Sequence, residues 1–391
     1  MASRQCYFGF VREKLNLEDD PFVVTIPRER VPVVFVECPQ FEEMREPGSR
    51  ILLAKRGMGK TFMCMMLELS LSKGEEEKPS GKLRKPENLV VGINLPRVGA
   101  ALCSRPELAR GGASYLSPDV LTQRVFNAYW EEIRNPQKAD AYERLRSKRA
   151  KMEALRWFYC QYPPDRLLSA DDDPEFALWL TQDMPQGPFS TQYNLILPLE
   201  EALRLIIDSE IGAYERVYIL VDGTETLSPR ALERLLEDAQ VLYGMRLPGL
   251  ELKIFLEYEW KGQVGAILDG VRTGEIEVVK ITEWTEERLW ELLRRRVYAV
   301  ARDQHYTEQL EEYCLDNLLC GFSSYANPRT RPIESEIAKS SQGSPRHALR
   351  LARALLSKCA ELCYSLPSER LRGEHVQEVI RHYWEQKPRP V

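Results

Sequence analysis

The sequence predicts an α/β protein with a parallel five-stranded sheet, flanking helices and a further helical domain. Three observations support this prediction. Five short apolar segments alternate with segments of helical periodicity, an alternation typical of parallel sheets covered by helices on both faces. A glycine-rich turn joins the first apolar segment to a helical one. After residue 283 the pattern becomes entirely helical.

The predicted strands are short and rich in Val, Ile and Leu, as buried strands are. They cover residues 50–54, 89–95, 216–222, 252–257 and 277–281. The clearest intervening helices span about 60–72 and 228–243, and the second begins with Ser228 and Pro229, residue types typical of a helix start. About one hundred residues separate the second strand from the third, which is far more than a usual crossover. We therefore expect a helical insertion at 97–200, with helices near 117–135, 138–160 and 174–183.

The chain is expected to contain three regions. Residues 1–47 should be irregular because Pro21, Pro27, Pro32, Pro39 and Pro47 interrupt any helix. Residues 48–283 should form the sheet domain. Residues 284–391 should form the helical domain, in which Thr285 precedes an acidic first turn. Its further helices are predicted at about 307–319, 333–341, 345–364 and 373–385.

Composition excludes several classes of protein. The 391 residues are 43% hydrophobic and 29% charged, so a mainly disordered chain is excluded. The formal charge of −5 does not indicate a nucleic-acid-coating surface, although a local basic patch stays open. No apolar run reaches the roughly 18–20 residues that span a bilayer, so no membrane association is expected. Nine cysteines without a CxxC pair favour reduced thiols in a cytoplasmic protein without a cysteine metal site.

The turn between the first strand and the first helix has the pattern of a phosphate-binding loop. It reads AKRGMGKT and fits GxxxxGK[ST] except at its first position, Ala54. Gly57 and Gly59 can fold backbone N–H groups around an anion, and the helix that begins at Lys60 adds its positive dipole end. Lys60 is expected to reach the outer phosphates of a nucleotide and the Thr61 hydroxyl to ligate Mg²⁺. The expected nucleotide-binding residues are Ala54, Lys55, Arg56, Gly57, Met58, Gly59, Lys60 and Thr61. The alternative is an ordinary strand–turn–helix with a surface lysine.

Two acids follow the third strand. Asp222 ends that strand, and an acid at the end of a neighbouring strand is needed to hold the water shell of the metal ion. Glu225 lies three residues further on and could orient the attacking water. The alternatives are an exposed turn acid at Asp222 and a solvated loop acid at Glu225.

The segments AKRGMGKT and VYILVDGTETL resemble the ATPase core of the AAA+/STAND superfamily. The resemblance covers roughly residues 48–96 and 200–365, and Gly343–Arg350 looks like the G-x-P-R opening of a lid-domain helix. It implies a P-loop NTPase fold with a C-terminal lid, ATP and Mg²⁺ as ligands, and contact of Arg346 with the terminal phosphate. It also implies that Arg272 is a finger toward a neighbouring subunit, with a plain loop charge as the alternative. Thr226 stands where the family usually has Glu, which implies slow hydrolysis suited to a switch.

The resemblance implies an ATPase that acts as a slowly hydrolysing molecular switch, with nucleotide state controlling conformation or assembly. A nucleotide-dependent homo-oligomer and a protein effector encoded elsewhere are the implied partners. One alternative is a DNA-associated ATPase of the origin-recognition or transposition type, which the basic excess toward the C-terminus favours. Another is a nucleotide-binding scaffold without turnover, which Ala54 and Thr226 favour.

Overall fold

The computed structural model describes residues 2–72, 87–95, 116–133, 147–163, 197–207, 214–268, 276–301 and 309–386. The chain divides into two compact units. The sheet unit consists of Gln40–Leu53 and Leu67–Lys280, and the lid unit of Met1–Pro39, Ala54–Met66 and Ile281–Val391.

The described residues contain five strands: β1 Ser49–Ala54, β2 Glu87–Asn94, β3 Tyr214–Asp222, β4 Leu250–Glu257 and β5 Ile276–Ile281. They form one sheet in the order β2-β3-β4-β1-β5. β2 pairs with β3, and β3 with β4, in parallel register, with Asn94 opposite Asp222. The predicted five-stranded parallel sheet is thereby confirmed.

The strand order corrects one expectation about Asp222. β3 does not neighbour β1, because β4 lies between them. Asp222 therefore ends a strand that β4 separates from β1, the strand that leads into the glycine-rich turn. Strand order is determined by how each crossover packs on the sheet, and the order of strands along the chain does not reveal it.

The α-helices of the described residues, in chain order, are α1 Ala2–Gly9, α2 Val31–Val34, α3 Pro39–Arg45, α4 Lys60–Ser72, α5 Pro118–Ile133, α6 Arg149–Gln161, α7 Leu197–Ile206, α8 Pro229–Gly244, α9 Lys261–Leu268, α10 Glu286–Tyr298, α11 Leu315–Leu318, α12 Pro332–Ser340, α13 Pro345–Ser365 and α14 Gly373–Glu385. None of the helices in these ranges is long and apolar enough to cross a membrane.

The core of the sheet unit joins the sheet to α5–α8. On α5, Leu121, Val125 and Phe126 are fully buried because they recur at helical spacing on one face. Phe126 stacks on Phe158 of α6 with ring centroids 5.6 Å apart. The described parts of the predicted insertion are thus helical, and its predicted helix at 174–183 lies outside the described residues.

The N-terminal segment is not irregular as expected. It contains α1, a π-helical turn at Phe10–Lys14, a 3₁₀ turn at Arg28–Arg30, and α2 and α3. Pro32 and Pro39 lie at the starts of α2 and α3, where a missing N–H group costs no hydrogen bond. Its residues Met1–Pro39 belong to the lid unit, in which Leu17 bridges to Ala301.

The helices of the lid unit surround a second apolar core. Thr285 caps α10 as its sequence position predicts, accepting a hydrogen bond from the backbone N–H of Arg288. Within the predicted helix at 307–319, the described residues form a 3₁₀ turn at Leu310–Tyr313 and the single turn of α11. The buried carboxylate of Asp316 accepts hydrogen bonds from the backbone N–H groups of Ile333 and Glu334, so this acid of α11 caps the start of α12.

Candidate functional site

The glycine-rich turn connects β1 to α4 with the backbone conformation that its sequence predicts. β1 ends at Ala54 and α4 begins at Lys60. Gly57 and Gly59 have φ values of +92° and +89°, in the left-handed region that favours glycine. The first backbone N–H groups of α4 have no acceptor within the helix, so the turn and the helix start together present donors to a ligand.

Lys60 and Thr61 have different environments at the start of α4. Lys60 is only 8% exposed, and its Nζ donates a hydrogen bond to the carbonyl oxygen of Ala54 at 3.1 Å. The ammonium group is therefore held across the turn. Thr61 is exposed, so its hydroxyl is accessible to a metal ion or water. Ala54 is fully buried, in keeping with a small residue at this position.

The start of α13 contacts the turn directly, within the lid unit. The backbone N–H of Arg346 donates to the carbonyl oxygen of Gly57 at 3.3 Å. A Cβ atom placed on Gly57 would lie 3.1 Å from Cβ of Arg346 and 3.2 Å from Oγ of Ser344. Lys55 also lies 3.7 Å from Glu283, between Nζ and Oε1. The structure thus brings Arg346 beside the turn.

Local backbone geometry places the start of α13 there. Gln342 and Gly343 both have positive φ, at +53° and +66°. The carbonyl oxygen of Gly343 accepts from the backbone N–H of Trp284 at 3.0 Å, and a Cβ on Gly343 would lie 3.0 Å from Cβ of Glu283. Only glycine fits this close approach, which explains the glycine that precedes Ser344 in the sequence.

Ser344 is a site residue that sequence reasoning missed. A serine before a helix-starting proline ordinarily caps the helix, as Ser228 does by accepting from the backbone N–H of Ala231 at 3.3 Å. Ser344 makes no such cap. Its Oγ is buried and has no hydrogen-bond partner among the described residues. The serine before a proline is visible in the sequence, but this pair indicates a helix cap and not a site residue.

An aromatic pair on α14 supports the beginning of α13. The hydroxyl of Tyr383 lies 2.6 Å from Nδ1 of His347, the residue after Arg346. His347 also packs edge-on against Trp384, with ring centroids 5.0 Å apart. Burial raises the pKa of Tyr383 above its usual value, so its hydroxyl stays protonated at neutral pH.

The carboxyl end of the sheet unit's β3 carries the predicted acids. Asp222 is 6% exposed and is followed by Gly223 with φ of +83°. Thr224 is buried, and its hydroxyl donates to the carbonyl oxygen of Phe255 at 2.9 Å, which joins this loop to β4. Glu225 is exposed on the 3₁₀ turn that follows.

Glu257, at the end of β4, has an environment that sequence reasoning did not anticipate. Its Oε1 is buried and has no hydrogen-bond partner in the part of the chain that the structure describes. β4 lies between the strand that leads into the glycine-rich turn and the strand that ends at Asp222. The sequence showed an acid there but could not show that one of its oxygens is shielded from water.

Two predictions about the site remain, the role of Arg272 and the binding of Mg²⁺. Arg272 lies outside the described residues. Among the described residues there is no group of three or more His, Cys, Asp or Glu side chains that could hold a metal ion by themselves. A Mg²⁺ ion at Thr61 would accordingly need further ligands from a nucleotide and water.

Comparisons with known proteins give distant likenesses. No protein-family model and no curated protein matches the chain. Among solved structures, it is similar to the ORC2 protein of Aeropyrum pernix in its ADPNP–ADP complexes, at 10% identity over 95% of this chain and 75% of that chain, with a TM-score of 0.40. The ADP form of that protein gives 10% identity over 94% and 74% of the two chains, with a TM-score of 0.39. Cdc6p from Pyrobaculum aerophilum gives 16% identity over 89% and 67%, with a TM-score of 0.34.

Proposed function

We propose that the chain binds ATP with Mg²⁺ at the Ala54–Thr61 turn, hydrolyses it slowly, and changes conformation or assembly with nucleotide state. The observation that carries this proposal is the direct contact of Gly57 with Ser344 and Arg346. A ligand on the turn therefore meets residues that are almost 290 positions apart in the sequence. A nucleotide-dependent switch needs such a link between its ligand and a second element.

The chemistry of the turn fits a triphosphate. The positive φ values of Gly57 and Gly59 let backbone N–H groups converge on an anion. Lys60 supplies a point charge for the outer phosphates, and the start of α4 favours negative charge. The buried Oγ of Ser344 lacks a partner among the described residues, and a phosphate oxygen or its water would satisfy it.

We assign the magnesium ion to Thr61 and Asp222. The hydroxyl of Thr61 would ligate the ion directly, and the carboxylate of Asp222 would hold its water shell. Bound Mg²⁺ neutralises charge that develops on phosphate oxygens. Arg346 would add a second positive charge at the terminal phosphate.

Two acids are candidates for orienting the attacking water, Glu225 and Glu257. Glu225 is exposed, whereas Glu257 has a buried carboxylate oxygen without a partner among the described residues. Because the exposed carboxylate of Glu225 can reach a water and the shielded oxygen of Glu257 cannot, Glu225 is the stronger candidate. Thr226 cannot act as a base, and its hydroxyl donates to the carbonyl oxygen of Gly223 at 2.8 Å.

The test compares nucleotide binding in the parent with that in three variants. Lys60→Ala should weaken binding of both ADP and a non-hydrolysable ATP analogue. Arg346→Ala should weaken binding of the ATP analogue more than binding of ADP, because the proposed contact of Arg346 is with the terminal phosphate. Arg370→Ala is the control, since Arg370 is exposed and lies beyond the end of α13. Titration calorimetry with each nucleotide and Mg²⁺ measures these differences.

The switch is tested on the same samples by small-angle X-ray scattering and light scattering. The ATP analogue should compact the chain or promote a homo-oligomer more than ADP does, since a ligand shifts an equilibrium only by its difference in affinity for the two states. Identical size and mass without nucleotide, with ADP and with the analogue would refute the switch. Tight binding without such a change would then favour the scaffold.

A DNA-associated ATPase is the less supported alternative. This alternative depends on the excess of basic residues toward the C-terminus, and two of these residues form ion pairs within the chain. Arg353 lies 2.7 Å from Asp20, and Lys358 lies 3.4 Å from Glu361. Binding to duplex DNA that weakens steeply as salt is raised would support this alternative.

A further inference from the structure

The sheet unit contains a cavity of 270 Å³ near the amino ends of β1 and β4. Its inner wall consists of core side chains, among them Leu121 of α5 and Ile219 of β3. Its rim includes three residues that are half-buried or exposed: Ser49, Arg246 and Leu250. The cavity therefore extends from the core to the surface, and all of its lining residues belong to the sheet unit.

The loop between α8 and β4, which forms part of the wall, is packed closely against its neighbours. The backbone N–H of Leu250 donates to the carbonyl oxygen of Leu247 at 3.2 Å, and the carbonyl oxygen of Gly249 accepts from the backbone N–H of Val217 at 2.8 Å. Gly249 has a φ of +72°, and a Cβ there would lie 2.5 Å from Cδ1 of Ile207. Protein cores leave few voids larger than a water molecule, so a space of this size beside a tightly held loop indicates a ligand.

The chemistry of the wall favours an uncharged ligand. Ser49 Oγ accepts a hydrogen bond from the backbone N–H of Leu252 at 3.0 Å, and a serine hydroxyl also has a proton to donate. Tyr243 contributes its ring, because its Oη atom is buried, and burial raises the pKa of this phenol, which is therefore neutral at pH 7. Among the described residues that line the cavity, Arg246 alone is charged, and it is exposed. An ion in the inner part would lose its solvation without gaining a partner.

The volume limits the size of the ligand. An apolar cavity of about 150 Å³ holds one molecule of benzene. A cavity of 270 Å³ accordingly fits a molecule of roughly ten non-hydrogen atoms, the size of two fused six-membered rings.

We propose that this cavity is a binding site for an uncharged, apolar molecule of that size, whose one polar group accepts a hydrogen bond from Ser49. The site is separate from the glycine-rich turn, since Ser49 begins β1 and the turn follows the other end of that strand. The inference therefore does not depend on nucleotide binding.

The experiment uses 2-naphthol, which has two fused rings and one hydroxyl group and is uncharged at pH 7. Titration calorimetry with the full chain should show saturable binding at one site, with a dissociation constant below about 1 mM. The compound should also raise the Tm, because it binds the folded chain only. The charged comparator 2-naphthoate should bind at least about tenfold more weakly, since its carboxylate would lose solvation.

Leu250→Trp places a larger side chain at the rim and should lower the affinity for 2-naphthol at least about tenfold, since it occupies the space that the rings need. Val241→Trp is the control, because Val241 is exposed on α8 and does not line the cavity. It should bind 2-naphthol like the parent.

Ser49→Ala provides a second test that does not enlarge any side chain. Its affinity for 2-naphthol should fall about three- to tenfold, as expected for one lost hydrogen bond. Its affinity for naphthalene, which has the same rings but no hydroxyl group, should stay that of the parent.

Four results would overturn the inference. They are the absence of saturable 2-naphthol binding to the parent, parent-like affinity in folded Leu250→Trp, an equal change for 2-naphthol and naphthalene in Ser49→Ala, and 2-naphthoate binding as tightly as 2-naphthol. Nucleotide is absent from all of these measurements, so failure of the proposed function would leave them unchanged.

Discussion

Replacing Gly57 by alanine tests the contact between the turn and α13. The φ of +92° makes a residue with a Cβ roughly 1–2 kcal/mol less favourable there. The new Cβ would also lie 3.1 Å from Cβ of Arg346 and 3.2 Å from Oγ of Ser344. Those distances are shorter than ordinary van der Waals contact, so the first turn of α13 must move back by a few tenths of an ångström.

Gly48→Ala is the matched control for backbone strain. Gly48 has a φ of +108°, and a Cβ there would meet nothing within 4 Å. Both variants should lose stability, and one kcal/mol corresponds to a fall in Tm of roughly 2–4 °C for a unit of 150–250 residues. Only Gly57→Ala should also lose affinity for the ATP analogue, by about tenfold or more if one charge-assisted hydrogen bond is lost.

Differential scanning calorimetry and titration calorimetry give the two quantities. A double-mutant cycle of Gly57→Ala and Ser344→Ala measures their coupling: the two losses of affinity should be less than additive, since the new methyl group and the Oγ atom belong to the same contact. Parent-like nucleotide affinity in Gly57→Ala, or an equal loss in Gly48→Ala, would show that the contact with α13 does not influence the ligand.

Three further predictions follow from the site and from the sheet. Lys60→Ala should abolish phosphate release measured with Mg²⁺ and ATP while its circular dichroism stays that of the parent, and retained turnover would refute the assignment of the turn. Glu225→Gln should slow phosphate release at least about tenfold with little change in nucleotide affinity, whereas Glu257→Gln should have the smaller effect; the opposite ranking would move the role to Glu257. Burial lowers the pKa of Lys253 from 10.5 to about 8, so the unfolded chain binds more protons between these values and stability should rise from pH 8 to pH 10 by at most about 3 kcal/mol. Urea unfolding of the parent and of Lys253→Met checks this, because a similar rise in the variant would show that other groups cause it.

The elements determined by local chemistry could be predicted from the sequence. α4 spans the predicted Lys60–Ser72, because two glycines end the preceding strand and an unbroken apolar pattern follows. The cap of α8 at Ser228 likewise depends on residues within three positions of one another. Such features require no knowledge of distant parts of the chain.

The features that depend on distant residues could not be predicted. The place of β4 between β1 and β3 follows from how the crossovers pack. The sequence also gives no sign that Arg294 pairs with Glu334, since the two residues lie forty positions apart. The same holds for the N-terminal segment, whose helices are stabilised by burial of Phe10 and Val11 against residues near the other end of the chain.

The pairing of the N-terminal segment with the last third of the chain affects how the protein is made. Leu17 bridges to Ala301, and Asp20 binds Arg353. At a synthesis rate of about 5–20 residues per second, roughly 15 to 60 s pass between the appearance of Leu17 and that of its partner. During that interval Phe10, Val11 and Phe22 have no core to enter, although the sheet unit between them and their partners can already be folding. The apolar side chains of this segment therefore remain without their partners until the final helices have been synthesised.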